Sequence, residues 1–370
     1  MNRKIKYLGY GLVFWFLLFL VWEWTKSHPK VRLSPVSFPQ NKEDKLDSLF
    51  AQSLAEFLIP GLAVGIVRKG KVEYLKAFGF ENLDTKDSME LNSRIPVASI
   101  SKLFTALALA QAGIEEGFTL ETPLEELFPK EERAVDALGS VTLAQLLTHT
   151  SGFKDPGLFT RLFHREKDQP LSQVINQIPK KRGPEDSMHY ADINFDLLGY
   201  GLEKKRPRPF EEILSESTLL KAGMKHSDFV LEWPETDNPI QGHEKTFLWK
   251  RIQANKIRFE RSPSPSSGLV TTAEDLAVAL VHLGRGKMGD FQKELDWLTL
   301  PSGKLAGFQH FRLHGQEFTG HYGGQAGYSS LFAYSYELET GFFLLSNAKD
   351  ISDHRKKIAE TLLKTLFPNP

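Results

Sequence analysis

A serine three residues ahead of a lysine is the arrangement in this chain best suited to covalent chemistry. A serine hydroxyl is a weak nucleophile until a neighbouring group takes its proton. On a helix, residues three apart share a face with Cβ atoms about 5–6 Å apart, so the amine stands beside the hydroxyl. The spacing occurs four times: Ser27–Lys30, Ser99–Lys102, Ser151–Lys154 and Ser346–Lys349. Only Ser99 opens a long apolar stretch, Leu103 to Ala110, and the pattern predicts a buried helix over 99–116. The other three fall in segments that read as loops or turns. A helix start adds positive potential near Ser99. An unpaired ammonium is costly to bury, and desolvation would lower the lysine pKa towards that of a usable base. The bland alternative is a lysine that extends back to water from the first turn. The pair alone does not decide between them.

Other chemistries lack their residues. There is no cysteine, which excludes disulfides, a cysteine nucleophile and thiolate metal sites. His243-Glu244 lacks the second histidine of a zinc helix. Gly9-Tyr10-Gly11 and Gly199-Tyr200-Gly201 lack the last glycine of a dinucleotide fingerprint, and no Gly-Lys-[Ser/Thr] phosphate loop is present. No metal and no cofactor are expected. Without a Gly-x-Ser-x-Gly elbow an α/β-hydrolase triad has no anchor, so His149 reads as structural. With 46 basic and 46 acidic residues there is no basic footprint for nucleic acid. The stretches Lys180-Lys181-Arg182 and Lys204 to Arg208 read as solvated surface, with contact to an anionic membrane as the minority reading.

The elements that must position Ser99 are legible at both ends. The chain has 370 residues, 41% hydrophobic and 25% charged, enough to bury a large core. Leu46, Leu49, Phe50, Leu54, Phe57 and Leu58 recur at helical spacing until Pro60-Gly61 stops them. Two strands are expected at Leu62–Arg68 and Lys71–Phe78, around Lys69-Gly70. Residues 120–260 are richer in helical stretches, proline and charge. Thr272 to Asp275 resembles a capping box opening a helix over Ala273–Leu283. A hairpin follows at Tyr328–Tyr336 and Phe342–Ser346, then a terminal helix over Ile351–Phe367. This order predicts an α+β fold. One antiparallel sheet is built from the N- and C-terminal segments and flanked by helices, with a mainly helical inserted subdomain.

The start of the chain reads as a membrane segment. Arg3, Lys4 and Lys6 precede an uncharged run from Tyr7 to Trp22, which Glu23 interrupts before Trp24. At ~1.5 Å per residue the Tyr7–Trp24 segment spans about 27 Å, just enough for a bilayer core. Trp22 and Trp24 suit an interface. A cleaved signal should end in small residues, and this run ends in bulky ones. An uncleaved anchor is therefore expected over a cleaved signal, with the domain outside the cytoplasm. The near-absence of polar residues from Leu8 to Trp22 argues against an amphipathic helix. The expected organisation is an anchor (1–26), a linker punctuated by Pro29, Pro35 and Pro39 (27–42), and one domain (43–367). Its α/β part would be 43–118 and 262–367, and its helical insert 119–261.

Longer words along the chain carry a family resemblance. Val97-Ala98-Ser99-Ile100-Ser101-Lys102 resembles the first motif of the serine β-lactamase and penicillin-binding-protein superfamily. Leu146-Leu147-Thr148-His149-Thr150-Ser151-Gly152 is similar to a segment of its class C branch, which includes esterases and D-aminopeptidases. The run from Tyr190 to Gly199 resembles the Tyr-x-Asn motif and its following helix. Ser267 to Leu276 resembles the Gly-Gly-Leu-x-Ser-Thr-Ala-x-Asp-Leu stretch, and Gly320-His321-Tyr322-Gly323-Gly324 stands at the third motif, Lys-Thr-Gly or His-x-Gly. The resemblance implies a DD-peptidase/β-lactamase-like fold and acylation of Ser99. It implies proton transfer through Lys102 and Tyr190, with either as the base. It further implies an oxyanion hole from the Ser99 and Gly324 backbone N–H groups, and substrate contacts at Asp192, His321, Tyr322 and Gly323.

Two departures matter. Asp192 stands where asparagine is usual, and an ionised carboxylate cannot donate a hydrogen bond. His321-Tyr322 stands where many relatives have the Lys-Thr that receives a substrate carboxylate. The expected function is a membrane-anchored, metal-independent serine hydrolase of small ester, amide or D-amino-acid peptide substrates. A true β-lactamase or D-Ala-D-Ala carboxypeptidase is the alternative enzyme. From another class, the alternative is an inactive relative that binds peptide or cell-wall fragments.

Overall fold

The computed structural model describes residues 3–128, 138, 141–155, 171–177, 187–230, 240–255, 264–284 and 290–368. The first part of the chain forms α1 (Arg3–Thr25), α2 (Lys42–Phe57), β1 (Gly61–Arg68), β2 (Lys71–Asn82), β3 (Asp87–Ser88), β4 (Ile95–Pro96) and α3 (Ser101–Glu116). The middle holds α4 (Leu143–Leu147), α5 (Ile193–Lys205), α6 (Phe210–Leu214), β5 (Asp228–Phe229), β6 (His243–Lys245), β7 (Ile252–Ala254) and β8 (Leu269–Thr271). The last part adds α7 (Ala273–Gly284), α8 (Gln292–Leu298), β9 (Gln309–Leu313), β10 (Gln316–Gln325), β11 (Tyr328–Ser335), β12 (Thr340–Ser346) and α9 (His354–Leu366).

The sheet joins the two ends of the chain, as the strand pattern predicts. Its order is β3-β2-β1-β12-β11-β10-β9, and every adjacent pair is antiparallel. β1 and β12 lie at the centre, with Leu62 opposite Ser346 and Arg68 opposite Thr340. Both strands are apolar along nearly their whole length because helices cover both faces. Alternation sorts β12 between two cores. Phe343 and Leu345 face α3 and α7, whereas Phe342 and Leu344 face α2 and α9. Gly65 is required at the first of these, since a Cβ there would lie 2.2 Å from the Phe343 ring.

The helix expected from Ser99 begins as a 3₁₀ turn at Ala98–Ile100 and becomes α-helical at Ser101. The turn is tied to the short sheet β4-β8-β5. Val97 N–H donates to Leu269 C=O (3.1 Å), while Ser101 Oγ accepts from Leu269 N–H (2.9 Å) and donates to Ala98 C=O (2.6 Å). Ala98 is held at φ 50°, the left-handed region that costs an L-residue about 1–2 kcal/mol. From Ser101 to Ala110 α3 is buried on all sides, which accounts for the apolar composition of that stretch.

Segment 27–41 runs along the domain: Val31 joins the core shared with α2 and α9, and Val36 N–H donates to Ser48 Oγ (3.1 Å). Within the second basic stretch Arg206 pairs with Glu115 and Glu116, and Arg208 with Glu216 and Glu212, so the two arginines belong to a paired surface. The stretch Lys180–Arg182 lies outside the described residues.

Candidate active site

Ser99 sits on the 3₁₀ turn, partly exposed, and Lys102 on the first turn of α3 is fully buried. Lys102 Nζ lies 3.2 Å from Ser99 Oγ, 2.8 Å from Asp192 Oδ1 and 2.9 Å from the Ser266 carbonyl oxygen. An ammonium has three N–H donors, and here each has an acceptor. Burial pushes the Lys102 amine down, but the Asp192 carboxylate and the Tyr190 hydroxyl outweigh it and hold the pKa above its ordinary value. Lys102 is therefore not the snorkelling lysine that Ser99–Lys102 admits as a sequence: it is buried and paired with Asp192, and its pKa is held up rather than lowered.

In the other three Ser-x-x-Lys pairs the serine is engaged elsewhere. Ser27 Oγ accepts from Arg251 Nε (2.9 Å), Ser151 Oγ donates to Asn194 Oδ1 (2.7 Å), and Ser346 Oγ accepts from Ala348 N–H (3.2 Å).

Tyr190 and Asp192 arrive from the segment leading into α5. The His189 N–H donates to His149 C=O (2.8 Å), and Ile193 N–H to Asp155 Oδ1 (3.0 Å). Lys102 Nζ lies 5.0 Å from the centroid of the Tyr190 ring and 5.5 Å from that of Phe195. The ammonium therefore attracts negative charge developing on Tyr190 as well as that of Asp192. Asn194 does not substitute for the missing asparagine. It is buried against His149 and Ser151, bonding His149 Nδ1 at 3.0 Å.

His149 packs against Tyr190 and the segment that carries it. Its ring stacks on the Tyr190 ring with centroids 4.4 Å apart. Its Nδ1 accepts from the Ala191 N–H (3.3 Å) and the Asn194 amide, which leaves the proton on Nε2. Burial, reinforced by the Lys102 charge, pushes its pKa down to about 3.

On β10, His321 and Tyr322 point to opposite faces of the sheet. His321 is buried on the Ser99 side, 6.1 Å between ring centroids from Tyr190, and its Nδ1 donates to the Tyr322 carbonyl (2.6 Å). Burial and the nearby Lys102 charge bring its pKa to about 3, so it is neutral at physiological pH. The Tyr322 ring packs on Phe311 (4.9 Å between centroids), with the Arg355 guanidinium 5.3 Å from its centroid. This is the α9 side of the sheet, and Phe311 and Tyr322 also line the cavity beside the site.

Gly323 packs against the residues that precede Ser99. A Cβ there would come 2.1 Å from the Val97 carbonyl oxygen and 2.4 Å from Ser330 Oγ, which itself donates to Val97 C=O (2.8 Å). Gly323→Ala is expected to destabilise the domain by about 1–3 kcal/mol through overpacking, read as a lowered urea midpoint. A variant melting with the parent would show that β10 can yield at this contact. Past Gly320 the β10 edge has no β9 partner. Tyr322 N–H donates on that side to Gln309 Oε1 (3.2 Å), and by alternation the Gly324 N–H faces the same open edge.

Sequence reading misses the Ser266 carbonyl. Thr105 Oγ1 donates to Pro265 C=O (2.7 Å), and Ser266 N–H to Asp196 Oδ1 (3.0 Å), so α3 and α5 together aim that carbonyl at Lys102. The Thr105 and Asp196 side chains, polar yet buried in apolar helices, are the available signal. A cavity of about 430 Å³ opens beside the cluster, walled by His149, Met188, Tyr190, Leu305, Phe308 and His321 among others.

A serine within reach of a buried lysine, with a tyrosine over the lysine and an open strand edge beside them, is the arrangement that the sequence motifs lead one to expect. The chain belongs to the β-lactamase family, whose profile matches residues 46–366. It is similar to Protein flp of Staphylococcus aureus (strain MW2), 24% identical over 241 residues, which make up 64% of this chain and 48% of that protein. The chain thus spans about half the length of the flp proteins it matches. A β-lactamase of Pseudomonas fluorescens is 26% identical over 279 residues, 69% of this chain and 74% of that one. Among solved structures, the octameric penicillin-binding protein homologue from Pyrococcus abyssi superposes with a TM-score of 0.69 at 24% identity, over 88% of this chain and 77% of that one. A class C β-lactamase mutant superposes with a TM-score of 0.72 at 18% identity, over 89% and 99%. These superpositions establish the α+β fold.

Proposed function

We propose that the protein is a membrane-anchored hydrolase that forms an acyl-enzyme at Ser99 and cleaves small esters or amides, D-amino-acid peptides among them. The observation that carries this reading is the Lys102 ammonium joining Ser99 to Asp192 under Tyr190. Ser99 Oγ attacks the substrate carbonyl carbon while its proton passes to the Tyr190 oxygen, which enters the step as a phenolate balanced by the Lys102 ammonium beside it. The oxyanion is received by the Ser99 and Gly324 N–H groups, each such donor worth about 3–4 kcal/mol. Collapse breaks the ester or amide bond, and the leaving alcohol or amine takes the proton from Tyr190. Water then releases the acyl group by the reverse proton path. Asp192 fixes the charge of Lys102, and His149 supports the Tyr190 ring.

The cavity beside Tyr190 suits an apolar acyl or side-chain group of moderate size. His321 offers no positive charge for a substrate carboxylate. A hydrogen bond to a charged group contributes about 1.5–3 kcal/mol. A cephalosporin and its carboxylate methyl ester are therefore expected to react at rates within about tenfold. Both should be slow beside a small activated ester. Rapid cephalosporin hydrolysis, lost on methylation, would contradict this substrate reading. Retention of α1 is supported by its contacts with the domain, described next.

A further inference from the structure

Helix α1 is gripped by the domain at its C-terminal end. Glu23, the carboxylate that interrupts the apolar run, is 2% exposed and accepts the backbone N–H groups of Phe247 and Leu248. Trp249 Nε1 donates to the Leu20 carbonyl (3.0 Å), and its ring meets Trp24 edge-on with centroids 5.2 Å apart. The Arg251 guanidinium lies 4.2 Å from the Trp24 ring centroid and donates to both oxygens of Ser27. His28 and Ile252 exchange backbone hydrogen bonds of 2.7 and 3.0 Å. All of these partners lie on the β6–β7 turn or at the start of β7.

That turn is unlike a water-facing one. Phe247, Leu248 and Trp249 are consecutive, large and apolar, and are 81%, 45% and 42% exposed. They continue the apolar surface of α1, which is itself almost wholly exposed from Tyr7 to Trp24. With a rise of about 1.5 Å per residue, the Leu20 carbonyl lies roughly 7 Å inside the helix end at Thr25. A turn bonded there sits at the depth where aromatic side chains favour the membrane–water interface. A carboxylate at that depth is costly unless its oxygens are satisfied. The turn supplies two N–H donors to Glu23, and Glu23 satisfies two N–H groups of the turn. Lys26 and Lys250, both exposed, flank the contact as cations for lipid phosphates.

We propose that Phe247–Trp249 is a second membrane-contacting element. It inserts its side chains into the interfacial layer of a phospholipid bilayer beside α1 and so docks the hydrolase domain at a set height and orientation on the lipid surface. This rests on α1 being a membrane anchor. The cysteine-free chain allows single labels. Phe247→Cys, Val13→Cys in mid-α1 and Val72→Cys on β2 are each labelled with an environment-sensitive fluorophore. Each full-length variant is reconstituted in phosphatidylcholine–phosphatidylglycerol vesicles that carry nitroxide lipids. Position 13 should lose most of its emission to deep nitroxides and position 247 to shallow ones, while position 72 keeps its emission. Quenching at 13 with none at 247 overturns the proposal and leaves the anchor intact. No quenching at 13 overturns the anchor reading, and the proposal with it.

Discussion

Tyr190→Phe is expected to lower kcat/KM for a small activated ester by about 10³-fold, within the range of general acid–base contributions. The reason lies in the donor count at Lys102. Its amine is buried, carries Asp192 at 2.8 Å, and directs its remaining hydrogens to Ser266 and Ser99. A protonated amine has no lone pair to accept the Ser99 proton, so in this reading the Tyr190 phenolate, held beside that ammonium, must. The fold should survive the change, because Tyr190 is 44% exposed and its ring keeps its stack on His149. The loss should fall on the acylation rate measured in a single turnover, with the melting temperature unchanged. Activity within threefold of the parent would return the base role to Lys102.

Asp192→Asn is expected to act on both stability and pH dependence. In the folded protein the Lys102 pKa is raised, so the pair contributes stability fully below the ordinary lysine value. That contribution is lost as pH rises through the folded value. It is therefore present throughout the neutral range. Removing the carboxylate leaves a buried ammonium without its counter-charge, a loss on the order of 3 kcal/mol near neutral pH. Burial is then opposed by Tyr190 alone, and the Lys102 pKa should fall from its value in the parent. The basic limb of the pH–rate profile should move to lower pH while activity near neutrality persists. Urea midpoints and the pH–rate profile check the two halves separately. An unchanged profile would uncouple the two side chains, and complete loss of activity would assign Asp192 a direct role in the chemistry.

Much of the fold is legible in the sequence because its signals are local. The apolar runs that become β1, β11 and β12 and the helical spacing of α2 each declare their element without knowledge of the rest. Ser99–Lys102 stands out because an ionisable residue enters an otherwise apolar helix. Tyr190 and Asp192 are legible only through the longer words around them, since no local physics links residue 192 to residue 102. The Ser266 carbonyl is invisible because a backbone acceptor has no residue type. The inward and outward facing of His321 and Tyr322 follows from strand alternation. The sequence reading grouped them by motif, whereas the structure separates them across the sheet. The partners of Glu23 lie more than 200 residues away, at Phe247 and Leu248, beyond the reach of any pattern in the chain.

The most direct measurement is intact-mass detection of a covalent adduct after exposure of the full chain to a fluorophosphonate probe, followed by peptide mapping. The expected result is one adduct per chain on the peptide containing Ser99, absent from Ser99→Ala. An adduct on Ser27, Ser151 or Ser346, or labelling that persists in Ser99→Ala, would contradict the assignment. No adduct on the folded protein would instead indicate a binding relative in which Asp192 holds Lys102 inert.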